Sequence, residues 1–287
     1  MRGASLGMRF DDEVPGNSND NGSRMMRRQR VRALFLSDVH LGTRASKSEK
    51  LYDFLLHHDA DTIYLVGDIV DGWRLRARWH WPRAHSEVIR ELFDAASRGS
   101  KIVYLPGNHD AFLRDYPGTH FAGIEVAETA IHVAADGRRY VVVHGDRLDR
   151  AAQVPHRIAA IGGRLNAALF ALSDHWNRAR MAAGLSGWSL SQWARRRVKE
   201  SIDYLGQFER EIAALAAAHS ADGVICGHVH HPAMHDRLGV RYINCGDWLE
   251  SCTAAVERFD GTFEIRTWPA TTSAPPVRSH MRGLQEA

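Results

Sequence analysis

Six short apolar stretches of this chain run directly into clusters of Asp, His or Asn, and this arrangement constrains the fold most. The stretches are rich in Val, Ile and Tyr, which predicts β-strands. They cover residues 33–36, 62–66, 102–105, 140–143, 224–226 and 241–243. The polar clusters that follow them are "SDVH", "GDIVD", "PGNHD", "HGD", "GHVHHP" and "NCGD".

Helical patterns lie between these strands. Residues 48–58 and 84–98 carry apolar side chains at helical spacing, and Gly99 is a typical residue to end the second helix. Strands that alternate with helices predict an α/β fold. The segment 150–218 breaks the alternation, since it is rich in Ala and Arg and helical in pattern, which predicts a helical insertion or lid.

Length and composition indicate one large domain. The 287 residues are 44% hydrophobic, and we place the domain at 31–268. Residues 1–30 lack hydrophobic periodicity and 269–287 are similarly polar, so we expect disordered segments at both ends. A net charge of +3 indicates no general attraction to nucleic acid. No apolar run approaches 18 residues, no secretory signal is evident, and the three cysteines form no C-x-x-C pair, so we expect a cytoplasmic protein.

The polar clusters predict a metal site. Ligands of α/β proteins bind at the carboxyl ends of the strands, and six strand ends would bring seven candidate ligands to one edge. Oxygen and imidazole donors without thiolate favour Mn²⁺, Fe or Zn²⁺ over a Cys-based structural zinc site. Seven donors are too many for one tetrahedral ion but suit two ions that share a carboxylate. The candidates are Asp38, His40, Asp68, Asn108, His144, His228 and His230.

Each motif alone is weak evidence for a metal site. A single D-x-H or H-x-H is usually an ordinary loop sequence, and "GD" and "GN" are common turn dipeptides. If the backbone stays extended, the alternate residues of Asp38-x-His40 and of His228-x-His230 face the same way. The specificity comes from the whole set, because every motif follows an apolar run.

The series "SDVHLG…GDIVDG…GNHD…HGD…GHVHHP" resembles the signature of the calcineurin-like metallophosphoesterases over about residues 32–268. The resemblance implies a four-layer α/β/β/α sandwich and a hydrolase with two divalent metal ions, with Mn²⁺ as our first choice. Asp68 would bridge the two ions, which would activate water for attack on phosphorus. One ion would be held by Asp38, His40, Asp68 and His230, and the other by Asp68, Asn108, His144 and His228.

Three further residues fall beside these ligands. By the same resemblance, His109 would hydrogen-bond a phosphoryl oxygen or protonate the leaving oxygen. Asp110 would either orient a histidine or stabilise a turn. Asp71 would either orient His40 or cap a turn.

A segment rich in Trp and Arg predicts substrate contacts, because Arg binds phosphate and Trp stacks on bases or contacts acyl chains. A packed basic loop and a nucleic-acid groove are the alternatives. The insertion repeats the pattern with Trp176, Trp188, Trp193 and Arg195–Arg197, which suits a membrane interface, a lid or an ordinary helical hairpin. The predicted substrate-binding residues are Trp73, Arg74, Arg76, Arg78, Trp79 and Trp81.

Motif order, ligand spacing and the helical insertion resemble one branch of this family, the UDP-2,3-diacylglucosamine diphosphatases of lipid A synthesis. The resemblance implies cleavage of a nucleotide-linked lipid to UMP and 2,3-diacylglucosamine 1-phosphate, with peripheral contact at the cytoplasmic face of the inner membrane. The chain departs from that branch at "GNHD", where its well-known members have "GNRD". A cyclic-nucleotide or nucleic-acid phosphodiesterase is therefore an alternative. A non-catalytic protein-binding scaffold is a third, although its mark would be lost ligands.

Overall fold

A computed structural model describes residues 28–148 and 190–269, with the backbone alone for 190–202. The predicted disordered segment 1–30 lies almost wholly outside these residues, as does the predicted tail 269–287. Trp176 and Trp188 of the insertion also fall outside them, and so do the side chains of Trp193 and Arg195–Arg197.

The larger sheet has seven strands, in the order β12-β11-β1-β2-β3-β5-β4. Strands β1, β2, β3 and β5 are parallel, while β11, β12 and β4 are antiparallel to their neighbours. Their bounds are Gln29–Leu36 (β1), His58–Val66 (β2), Lys101–Leu105 (β3), His120–Phe121 (β4), Ile124–Val126 (β5), Thr253–Glu257 (β11) and Phe263–Thr267 (β12).

The smaller sheet has five strands, in the order β6-β7-β8-β10-β9. Its centre is parallel, because β7 pairs with β8 and β8 with β10 in the same direction. The bounds are Ala130–Val133 (β6), Arg139–Val142 (β7), Gly223–Cys226 (β8), Ala233–His235 (β9) and Arg241–Asn244 (β10).

Four α-helices are described, together with a 3₁₀ helix. The α-helices are α1 (Ser48–His57), α2 (Gly72–Ala77), α3 (Arg83–Ser97) and α4 (Leu190–Ala218), and the 3₁₀ helix is Ala111–Asp115. Helix α1 buries Leu51, Phe54 and Leu55 on one face, as its apolar spacing predicts. Helix α3 ends before Gly99, whose φ of 103° favours glycine. None of the helices described here is long and apolar enough to cross a membrane.

Three apolar clusters fill the spaces between the layers. The first joins α1 and α3 to the larger sheet, with Phe54 and Val88 packed against strand residues. The second lies between the sheets and contains Phe35 and Tyr140. The third joins α4 to the smaller sheet, with Phe208 in contact with the strands. Three cores between four layers confirm the predicted α/β/β/α sandwich.

The structure corrects the predicted topology in two respects. The six predicted strands are present, but they end at the edges of two sheets rather than at one edge. Six further strands lack the predicted signal. Five of them have only two to five residues of mixed polarity, and β11 is the Ala-rich sequence "TAAVE", buried throughout.

The predicted insertion over 150–218 also needs correction at its C-terminal end. Phe208, Ile212 and Ala216 of α4 are buried against the smaller sheet. This part of α4 is therefore a layer of the sandwich, because its apolar face completes the third core. Residues 149–189 lie outside the described part of the chain.

Candidate metal centre

The ends of two sheets face each other at the predicted metal site. Asp38 and His40 follow β1, Asp68 follows β2, and Asn108 follows β3 of the larger sheet. His144 follows β7 of the smaller sheet, and His228 and His230 follow β8. The tenth strand, β10, contributes no predicted ligand. Its last residue, Asn244, instead donates a hydrogen bond of 2.8 Å to the carbonyl of Gly227, beside His228.

The loops that carry Asp38 and His40, and His228 and His230, are not extended, so the condition for the alternating arrangement of these residues is not met. All four residues have a φ between 51° and 71°, and Asp68 has a φ of 54°. They account for five of the eight non-glycine residues with positive φ in the described ranges. Such backbone costs on the order of 1–3 kcal/mol per residue and concentrates at functional sites.

Short distances join the two halves of the site through carboxylates. His230 Nε2 lies 3.2 Å from Asp38 Oδ1, and His40 Nε2 lies 3.8 Å from the same oxygen. Asp68 Oδ2 lies 3.5 Å from His144 Nε2 and 3.9 Å from His40 Nε2. Donor atoms lie within 4.8 Å of one another in the group Asp38, His40 and His230, and likewise in Asp38, Asp68 and His144.

Backbone and hydroxyl groups hold these side chains in place. His144 Nδ1 lies 2.9 Å from the carbonyl of Val66, which accepts its hydrogen and leaves Nε2 facing Asp68. The amide of His109 donates to Asp68 Oδ1 at 2.8 Å, and the amide of His228 donates to Asp38 Oδ2 at 2.9 Å. Each carboxylate therefore keeps its other oxygen for the centre of the site.

Two glycines allow the backbone to pass close to the candidate ligands. A Cβ at Gly107 would lie 2.3 Å from Asp68 Oδ1 and 2.7 Å from His144 Nε2. A Cβ at Gly227 would lie 1.7 Å from the hydroxyl oxygen of Ser37 and 2.6 Å from Asp38 Oδ2. Any larger residue at these two positions would push the ligands apart.

The carboxylates and imidazoles of the site stabilise each other's charged forms. Burial by itself lowers the pKa of His144, yet Asp68 and Asp38 raise it to about 10. Burial opposes the ionisation of Asp68, but His144, His109 and His40 hold the pKa of its carboxyl well below the usual range. An ionised carboxylate among neighbouring imidazoles stabilises a bound cation by the same interactions.

The unsatisfied atoms of the site fit metal ions. In the described ranges, four predicted ligands have a buried donor or acceptor atom without a hydrogen-bond partner. Buried polar atoms without partners are rare and costly, and metal coordination would satisfy all four. These atoms are Asp38 Oδ1, His40 Nε2, Asn108 Oδ1 and His144 Nε2.

His109 lies at the side of this cluster and pairs with Asp71. Its Nδ1 is 3.0 Å from Asp71 Oδ2, and its Nε2 is 3.9 Å from Asp68 Oδ2. Asp71 also lies 3.5 Å from His40 Nδ1 and caps α2 by accepting from the amide of Arg74 at 2.8 Å. Burial raises the pKa of Asp71, but hydrogen bonds from His109, His40 and this amide outweigh it and keep the pKa below its usual value.

Asp110 is fully buried and organises the loops. Its Oδ2 accepts from the amide of Ile69 at 2.8 Å and from the hydroxyl of Tyr104 at 2.6 Å, and its Oδ1 accepts from the amide of Gly107 at 2.6 Å. Asp110 thus joins the "GDIVD" loop to the "PGNHD" loop. Sequence reasoning did not identify Tyr104, whose place at the end of a predicted strand is its one sequence signal.

The Trp- and Arg-rich segment lies mostly in solvent. Trp73 is 37% exposed and its ring centroid is 4.2 Å from that of His109, whereas Trp79 is 74% exposed. Arg74, Arg76 and Arg78 are exposed on α2 and just after it. Trp81 differs from the others, because it packs against the first core and donates to the hydroxyl of Ser86 at 3.0 Å.

A four-layer sandwich with His and Asp side chains at the facing edges of its two sheets defines a metal-binding phosphoesterase. The sequence matches the calcineurin-like phosphoesterase family over residues 31–232. The chain belongs to this family, and it is a metal-dependent hydrolase.

Several curated relatives share one name. The chain is 28% identical to the UDP-2,3-diacylglucosamine hydrolase of Porphyromonas gingivalis over 81% of its own length and 95% of the relative. It is also 28% identical to the enzyme of that name from Aeromonas salmonicida, over 84% of this chain and 96% of the relative. Among solved structures, a Thermotoga maritima protein aligns with 83% of this chain and 99% of its own, at 16% identity and a TM-score of 0.40.

Proposed function

We propose that this protein hydrolyses the pyrophosphate bond of UDP-2,3-diacylglucosamine or a related nucleotide-linked lipid, with UMP and a lipid phosphate as products. The observation that carries the proposal is the similarity to enzymes named UDP-2,3-diacylglucosamine hydrolase along most of both chains. An exposed segment of Trp and Arg beside His109 supports it, because such a substrate offers a base, two phosphates and acyl chains.

Two divalent ions, with Mn²⁺ as our first choice, would be held by the seven predicted ligands. Asp38, His40, Asp68 and His230 would hold one, and Asp68, Asn108, His144 and His228 the other. When bound, such ions supply an activated water and neutralise charge that develops on the phosphoryl group. The unpartnered buried atoms of four ligands support this assignment.

His109 would act on the phosphoryl group itself. Its Nδ1 lies 3.0 Å from Asp71 Oδ2, and its Nε2 is the ring nitrogen on the side of Asp68. From there it would donate a hydrogen bond to a phosphoryl oxygen or a proton to the leaving oxygen. The Asp71 carboxylate would orient the ring.

The exposed segment would hold the rest of the substrate. Arg74 and Arg76 would bind a phosphate, and Trp73 and Trp79 would stack on the base or contact an acyl chain. Trp81 would support this segment from below, since it packs on the core. A lipid substrate would place the protein at the cytoplasmic face of the inner membrane, in peripheral contact with it.

A phosphodiesterase that acts on a cyclic nucleotide or on single-stranded nucleic acid is the second candidate. The observation that favours it is His109, where the well-known lipid A diphosphatases have Arg. The exposed Arg and Trp side chains also suit a nucleic-acid groove.

The deciding experiment offers three substrates to the purified protein with Mn²⁺. They are UDP-2,3-diacylglucosamine, a cyclic nucleotide and single-stranded DNA, and mass spectrometry identifies the products. We expect UMP and 2,3-diacylglucosamine 1-phosphate from the first. The Asp68→Ala protein, purified in parallel, controls for a contaminating hydrolase. Cleavage of DNA without cleavage of the UDP-lipid would replace the first proposal by the second.

A further inference from the structure

A partly buried arginine joins the two halves of the metal centre. Arg114 lies in the 3₁₀ helix that follows the "PGNHD" loop of the larger sheet. Its Nη2 donates to the carbonyl of Pro106 at 2.8 Å and to Asp146 Oδ1 at 2.7 Å. Pro106 precedes Asn108 by two residues, and Asp146 follows His144 by two residues in the smaller sheet. One nitrogen thus connects the Asn108 loop to the His144 loop.

The contact is well shielded from water. The side chain of Arg114 is 15% exposed and that of Asp146 is 9% exposed, in contrast to Arg147, which is 64% exposed. Charge-assisted hydrogen bonds of this length are about twice as strong as neutral ones. Arg114 Nε also lies 3.7 Å from Glu128 Oε1. The exposed Arg147 contacts the same oxygen, with its Nη2 at 3.1 Å.

The ligands tolerate little movement at this point. Gly107, between Pro106 and Asn108, is so close to the metal centre that an added Cβ would overlap Asp68 Oδ1 and the ring of His144. A shift of the Pro106 carbonyl would therefore change the separation of Asn108 and His144. Mutation of residues that position metal ligands typically weakens metal binding about 10–100-fold.

We propose that Arg114 is a positioning residue that sets the separation of the Asn108 and His144 loops through Asp146, and with it the affinity of the metal centre. The proposal rests on the proposed function only in assigning Asn108 and His144 to one ion. It assigns no contact with substrate to Arg114.

The test measures Mn²⁺ binding to the metal-stripped protein by calorimetry, together with the melting temperature. Arg114→Gln removes the charge and shortens the side chain that reaches Pro106 and Asp146, and we expect at least one Mn²⁺ affinity to fall about tenfold. Arg114→Lys keeps the charge, and the Mn²⁺ affinity of this variant should be intermediate between those of wild type and Arg114→Gln. Arg147→Gln is the matched control, since it contacts Glu128 but neither Pro106 nor Asp146, and it should bind Mn²⁺ as the wild type does.

Asp146→Asn makes the test independent of whether Arg114→Gln folds, and it should weaken Mn²⁺ binding in the same direction. A melting temperature that falls in either variant while Mn²⁺ affinity stays at the wild-type value would overturn the proposal, because Arg114 would then serve the fold alone. An equal loss in Arg147→Gln would also overturn it, since the effect would be general electrostatics. A failure to cleave the UDP-lipid would reject the proposed substrate and leave the Mn²⁺ measurement intact.

Discussion

The metal centre and the Trp73–Trp81 segment are neighbours in the structure but differ in how their side chains are held. Asp38, Asp68 and His144 are at most 2% exposed, and backbone groups hydrogen-bond each of them. Trp73 and Trp79 are 37% and 74% exposed and lie on or after a helix of six residues. Trp73 contacts the metal centre through the ring of His109.

Under the proposed function, this difference would separate the residues that determine the reaction class from those that select the substrate. Buried ligands in strained loops define one geometry, and the class of reaction depends on that geometry. Exposed side chains on a short helix can change without disturbing the core, because few buried contacts depend on them. We therefore expect variants of the two regions to alter different kinetic constants.

Asp68→Ala should have the largest effect. Its carboxylate faces His40, His109 and His144, so its removal should abolish turnover and reduce the bound metal together. We expect a loss greater than the roughly 10²–10³-fold that follows removal of one charge-stabilising donor. Hydrolysis of bis(p-nitrophenyl) phosphate and metal content by mass spectrometry measure the two effects. Two bound ions and full turnover in the variant would contradict the assignment.

His109→Ala should lower kcat on the order of 10²–10⁴-fold and leave the metal content unchanged, as expected for a general acid or phosphoryl hydrogen-bond donor. Exposed His219, just after α4, offers the control His219→Ala, which should keep the wild-type kcat. The comparison uses steady-state kinetics with metal-saturated protein. An unchanged kcat for every substrate would exclude His109 from the mechanism.

Trp79→Ala and Arg76→Ala should affect only substrates that reach beyond the phosphate. For the UDP-lipid we expect KM to rise about tenfold with kcat unchanged, because a stacking contact contributes about 1–3 kcal/mol. The small substrate bis(p-nitrophenyl) phosphate should show no change. Arg90→Ala, at an exposed position of α3, is the control. Equal losses on both substrates would place these side chains in the catalytic centre instead.

The smallest expected effect is on the pH dependence of stability. It concerns His85, which packs against Trp81 of the Trp73–Trp81 segment. Burial, and next the nearby His80, lower the pKa of His85 to about 4. The unfolded chain binds this proton near pH 6.5, so stability is fully present above that pH and falls as the pH drops towards 4. Thermal melts between pH 7 and pH 4.5 should show a smaller decline for His85→Gln than for wild type. Parallel declines would show that His85 does not titrate in this way.

Much of the molecule follows from sequence alone. The six predicted strands and the two predicted helices are present, and the α/β/β/α sandwich is confirmed. The strand and helix predictions succeeded because the periodicity of apolar residues is a local property of the chain, whereas the four-layer sandwich was implied by the family resemblance. The family was also evident, since its ligand motifs are short and each follows a strand.

The sheet that each strand joins was not a local property of the sequence. Strands β1 and β7 have similar apolar sequences, yet β1 pairs with β2 and β11 in one sheet and β7 pairs with β6 and β8 in the other. Strand β11 has an Ala-rich sequence, and it is a strand because it is buried on both faces. Only packing over long distances in the chain decides such pairings.

The sequence by itself determined which donor atoms are available: carboxylate, amide and imidazole groups at the ends of strands, with glycine beside them. The tertiary structure decided how they meet. It placed Asp38 and His230 in contact across two sheets, turned five candidate ligands into the left-handed region, and paired Asp71 with His109 and Arg114 with Asp146. The physical reason is that donor chemistry belongs to single residues, whereas a distance between two loops depends on every layer packed beneath them.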